Sequence, residues 1–105
     1  MEYKVVVLMV SRRRLEDGDF EAWQQRFEAG AAARKAAGCR GVRRFRGIED
    51  TQELVVIFEW DTIANAKAYV NLKVAENPEL LGAREGSGDP KLANIFVEEM
   101  EPLAS

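Results

Sequence analysis

Two segments of this chain are apolar on both sides of a strand, and that restricts the folds open to it. They are "YKVVVLMVS" (3–11) and "ELVVIFEW" (53–60). Both are rich in the β-branched and aromatic residues that suit strands. Successive strand side chains point to opposite faces. Tyr3, Val5, Val7, Met9 and Ser11 therefore share one face, and Lys4, Val6, Leu8 and Val10 share the other. In the second segment Leu54, Val56, Phe58 and Trp60 oppose Glu53, Val55, Ile57 and Glu59, a set that is apolar in the middle and charged at both ends. A sheet built from such strands has to be covered on both faces. A chain of 105 residues, the usual length of one domain, has few elements with which to do so.

The remaining segments set the order of elements. "RRRLEDGD" is polar, contains Gly18 and reads as a loop. A helix is expected from about Phe20 to Ala37, capped by Asp17 or Asp19, with Gly38 just past its end. Phe20, Trp23, Phe27, Gly30 and Ala31 fall on one face of it, bordered by Gln24 and Arg34. "CRGVRRFR" (39–46) reads as a charged edge strand. After the strand ending at Trp60, Asp61 is expected to cap a helix over 62–76 with a buried stripe of Ile63, Ala66, Val70 and Val74 and Tyr69 beside it. Asn77-Pro78 signals a short further helix, "GSGDP" a turn, and "KLANIFVEE" (91–99) a fourth strand.

Strand, helix, strand, strand, helix, strand is the split βαβ, or ferredoxin-like, arrangement. The expectation is a single α+β domain over 1–105: a four-stranded antiparallel sheet with two helices on one face. The other face then carries Val6, Leu8, Val10, Val55 and Ile57 together with one face of the last strand. Each of these side chains contributes roughly 1.5–3 kcal/mol if fully buried. Monomers rarely expose a contiguous apolar patch of this kind. The expected cover is a second copy of the chain, packed sheet to sheet in a symmetric homodimer.

Composition excludes several functions. The net charge of -3 and the lack of an aromatic RNA-binding strand argue against nucleic acid as a partner. No apolar run approaches the roughly 18 residues of a membrane span, and the first residues lack a signal-peptide pattern. The expected location is the cytoplasm. The chain has no histidine, which removes the commonest general base, the Ser-His-Asp and Cys-His arrangements, most zinc sites and any His-ligated haem. No metal site and no cofactor are expected. Adjacent acids such as Glu49-Asp50 and Glu98-Glu99 point apart or into solvent. Cys39, with no base to activate it, reads as a small buried side chain.

Three stretches, "DFEAWQQRFEAGAAARKAAGCRG", "ELVVIFEWDTIANAKAYV" and "NPELLGAREG", resemble the dimeric α/β-barrel superfamily, in its antibiotic-biosynthesis-monooxygenase-like group. The resemblance implies a dimer whose two sheets form a barrel, with a pocket between sheet and helices in each subunit. It implies a small apolar, aromatic or polyketide-like ligand and, where the protein is an enzyme, cofactor-free oxidation. Trp60 resembles a tryptophan that recurs at the end of the third strand of catalytic members. Haem-degrading members carry an asparagine late in the first strand and a histidine near the second helix. Ser11 stands at the first position, and the histidine has no counterpart.

The candidate catalytic residues on this reading are Trp60, Tyr69 and Asn65. Trp23, Phe27, Phe58, Ser11 and Arg43 are the candidate substrate-binding residues. Each has a plainer alternative. Trp60, Trp23, Phe27 and Phe58 equally suit the core, and Asn65 and Tyr69 suit a helix surface. Arg12, Arg43 and Arg44 are shaped to orient an anion at a pocket mouth, but also suit a solvated edge strand. A non-catalytic binding dimer of the same fold is the alternative function.

Overall fold

The structure, a computed structural model, describes residues 7–15, 20–78 and 92–103. Its elements are β1 (Val7–Arg14), α1 (Phe20–Ala29), α2 (Ala31–Ala37), β2 (Cys39–Arg46), β3 (Glu53–Trp60), α3 (Ile63–Glu76) and β4 (Leu92–Glu98). The strands form one antiparallel sheet in the order β2-β3-β1-β4. This is the expected ferredoxin-like α+β arrangement, with the charged β2 at an edge. The expected caps at Asp17 or Asp19, the GSGDP turn and the helix beyond Pro78 lie outside the described residues.

Register fixes which side chains share a face. Met9 lies between Phe58 and Phe96, and Ser11 between Val56 and Asn94. With Leu54 and Trp60 these residues form the side that the helices cover. Leu54, Val56, Phe58 and Trp60 are all buried there, packed with Trp23 from α1 and with Ala66 and Tyr69 from α3. On the reverse side Val10 lies between Ile57 and Ile95, and Leu8 lies opposite Val97. Leu8, Val10, Val55 and Ile57 are half-buried, whereas Phe45, Ile95 and Val97 are exposed.

Three local expectations need correction. First, β1 runs through Arg12–Arg14, which read as loop. These arginines pair with Val55, Leu54 and Glu53 of β3, and Arg12 and Arg14 form ion pairs with Glu53 and with Asp50 and Glu53 respectively. Acids on β3 and in the turn before it thus extend the strand through a polar segment.

Second, the helix expected over 20–37 is divided at Gly30. The Gly30 N–H donates to Phe27 O at 3.2 Å, a tighter turn than the α-helical bond, and α2 resumes with Arg34 N donating to Gly30 O at 3.0 Å. Gly38 ends α2 as expected: at φ 115° it occupies the left-handed region that glycine tolerates. A Cβ there would also collide with the Asp61 carboxylate.

Third, Thr62 rather than Asp61 caps α3. Its hydroxyl accepts from Asn65 N at 3.0 Å. Asp61, one residue earlier, instead accepts from Thr62 N and from the Asn65 side chain. The buried stripe of α3 is also shifted. Ala66 and Tyr69 are buried, but Ile63 is 45% exposed, because at 3.6 residues per turn it lies about 120° round the helix from Tyr69.

Candidate functional site

Between the helix-covered side of the sheet and the helices lies a cavity of about 460 Å³. Met9, Leu54, Val56 and Phe58 form its sheet side; Trp23, Phe27, Gly30 and Arg34 come from α1, α2 and the break between them; Tyr69, Val70, Lys73 and Val74 come from α3. Arg13, Arg26, Asn77, Ser11 and Asn94 complete the lining. Alternation along the strands puts the apolar sheet residues here, and the i, i+4 spacing of Trp23 and Phe27 brings their rings together. Those rings stack at 4.9 Å, and Phe27 meets Phe58 at 5.9 Å. The result is an apolar, aromatic-walled space with a few polar groups, as small-molecule sites usually are.

The sequence-derived candidates divide into three groups. Trp23, Phe27, Phe58, Ser11 and Tyr69 line the cavity together. Trp60 stands behind it: its ring lies 5.4 Å from that of Tyr69, it is 1% exposed, and it is not among the lining residues. Its indole N–H is buried with no hydrogen-bond partner among the described residues. Asn65 and Arg43 lie elsewhere. The Asn65 amide is exposed and donates to both Asp61 carboxylate oxygens at 3.0 and 3.1 Å. Arg43 lies opposite Ile57 on the reverse side of the sheet, its guanidinium 5.2 Å from the Phe45 ring centroid. Alternation along β2 puts it there, facing away from the helices.

Several lining residues were not singled out from the sequence. Asn94 is one: it sits beside Ser11 on β4, and the Ser11 hydroxyl donates to its side-chain oxygen. An amide of the neighbouring strand thus stands beside Ser11, a pairing that strand order decides. Arg34 is the other. It is 7% exposed and its guanidinium lies 3.9 Å from the Phe27 centroid. Its seven-residue spacing from Phe27, two turns of helix, was the available signal.

The electrostatics are local. The Asp61 carboxyl is held below its ordinary pKa, first by the Asn65 amide and then by Thr62 N–H and the charge of Arg40. Burial pushes the Cys39 thiol up, which makes it a poorer nucleophile at neutral pH. Arg14 is raised by its hydrogen bond to Asp50. A second concavity, of about 660 Å³, lies beside Gly38, Cys39, Arg40 and Asp61, and Arg34 borders it as well. Among the described residues no three His, Cys, Asp or Glu side chains come together to hold a metal ion. No helix among them is long and apolar enough to cross a membrane.

Comparison with known proteins agrees with this fold. A conserved protein of Methanosarcina mazei is similar in structure, with a TM-score of 0.66 and 11% identity over 92% of this chain and 95% of that one. A haem-degrading protein of Mycobacterium tuberculosis gives 0.63 and 14% identity over 98% and 100%. A dimeric ferredoxin-like protein from an uncultured marine organism gives 0.60 and 16% over 93% and 97%. At these identities the likeness is one of fold. No curated protein matches the sequence. The family model described as antibiotic biosynthesis monooxygenase matches residues 6–76, well over half of the chain, and the chain therefore belongs to that family.

Proposed function

We propose that this protein binds a small planar aromatic or polyketide-like molecule in the central cavity. The observation that carries this reading is the cavity itself: about 460 Å³, walled by Trp23, Phe27, Phe58 and Tyr69 and carrying the Ser11–Asn94 pair. The rings supply area for a flat ligand, and the serine, amide and phenol supply orientation. Trp60 supports Tyr69 from behind. The protein acts as a homodimer in which the reverse sides of two sheets cover each other. The continuous apolar set of Leu8, Val10, Val55, Ile57, Ile95 and Val97 supports that assembly.

In the enzymatic form of this reading the reaction is cofactor-free oxidation of the bound molecule, as family membership suggests. Tyr69 hydrogen-bonds to the substrate oxygen and the aromatic wall excludes water. One observation favours a second reading, a non-catalytic binding dimer: among the described residues no Asp, Glu, Cys or His lines the cavity, so none of them offers the ligand an ordinary general base. Native mass spectrometry of the purified protein, followed by oxygen-electrode assays with the molecule it carries, tests both. A dimer with added mass supports the pocket reading, and oxygen uptake selects the enzyme. A bound molecule without oxygen uptake selects the binding protein, and failure of any aromatic compound to bind overturns both.

A further inference from the structure

Among the described residues, four side chains lining the cavity are cationic, Arg13, Arg26, Arg34 and Lys73, and none is acidic. The chain as a whole carries a charge of -3, so the positive sign belongs to this place and not to the protein. Lys73 is paired with Glu76 at 3.3 Å, and Arg26 is exposed. Arg34 is different. It is more than nine-tenths buried, its guanidinium carbon lies over the Phe27 ring, 3.9 Å from the centroid, and among the described residues no hydrogen bond or ion pair reaches that guanidinium. Asp61, across the second concavity, spends its carboxylate on Thr62 and Asn65.

A buried charge is costly unless it is paired. The contact with Phe27 is one of charge with the ring's π face, and it takes up none of the guanidinium's five N–H donors with an oxygen acceptor. A planar carboxylate can accept two of them at once. Gly30 makes the arrangement possible, since a Cβ at this position would lie 2.8 Å from Arg34 Nη1. The break between α1 and α2 is therefore also the gap through which Arg34 reaches the cavity wall.

We propose that the cavity selects an aromatic carboxylate, with Arg34 binding the carboxylate while the aromatic wall holds the ring. This rests on the cavity being a ligand site and adds the charge of its ligand. The test is calorimetric titration with 2-naphthoate and 2-naphthamide, which share a ring system and differ in charge. The wild-type protein binds naphthoate more tightly by roughly ten- to a hundredfold, the range of a charge-assisted hydrogen bond. Arg34→Met abolishes the difference. Gly30→Ala, which displaces the guanidinium without removing it, narrows the difference and tests the same point should Arg34→Met fail to fold.

Equal wild-type affinity for the two probes overturns the carboxylate preference and leaves the pocket standing. Binding of neither overturns both. An undiminished preference in the folded variants removes Arg34 from the recognition.

Discussion

The rings of Trp60 and Tyr69 meet at 5.4 Å with an interplanar angle of 46°, yet only Tyr69 lines the cavity. The indole N–H of Trp60 has no partner among the described residues, so what its replacement removes there is packing. Trp60→Phe is expected to lower stability by about 1–3 kcal/mol, less than the roughly 3–5 kcal/mol of a full truncation to alanine. Ligand affinity should change little. Tyr69→Phe is expected to do the reverse, keeping stability while weakening binding of ligands that accept a hydrogen bond. Chemical denaturation and calorimetric titration of the two variants check this. Loss of turnover in a stable Trp60→Phe protein would instead make the indole a participant.

Val10 occupies the middle of the uncovered side of the sheet, between Ile57 and Ile95. If two such surfaces cover each other, an arginine here buries charge at the centre of the interface and removes one apolar contribution of roughly 1.5–3 kcal/mol per subunit. Val10→Arg should convert a dimer to a monomer in size-exclusion chromatography with light scattering. A monomeric wild-type protein would end the sheet-to-sheet account.

The start of α3 carries a pH-dependent contribution. Asp61 has a folded-state pKa below its ordinary value, so its stabilisation is present above the unfolded pKa, about 3.9, and is lost as pH falls through the lower folded value. Asp61→Ala should melt below wild type at pH 7, and the two melting curves should converge in acid. Thr62→Ala, which removes the cap to Asn65 N, should cost about 1 kcal/mol at either pH.

Cys39 is 8% exposed and its thiol is raised by burial. A raised thiol stabilises the fold below its unfolded pKa, and that contribution is lost as pH rises through the folded value. Native protein at pH 8 should therefore react slowly with a chromogenic disulfide reagent, and denaturant should release a fast stoichiometric reaction. Rapid labelling of native protein would refute the burial.

Legibility varied with the range of the interaction concerned. β2 and β3 were readable to the residue because alternation and flanking turns are local. Gly38 was readable as a helix end because only local backbone geometry decides it. Arg12–Arg14 were misread because the acids that hold them in a strand lie about forty residues away in sequence. Arg43 and Arg34 show the same limit at the site. Arg43 reads as a candidate substrate-binding residue and Arg34 as a residue bordering the apolar helix face, and where each side chain ends depends on which way β2 faces and on the break at Gly30.

The sequence by itself determined the order of elements, the ferredoxin-like class and the need for cover on both sides of the sheet. Each follows from side-chain period and burial, which are properties of short segments. Only the tertiary structure decided that Asn94 stands beside Ser11, that Trp60 lies behind Tyr69, and that Arg34 is the buried cation of the cavity. Those relationships join residues from separate elements. Strand order and the bend at Gly30 set them, and neither can be read from a single segment.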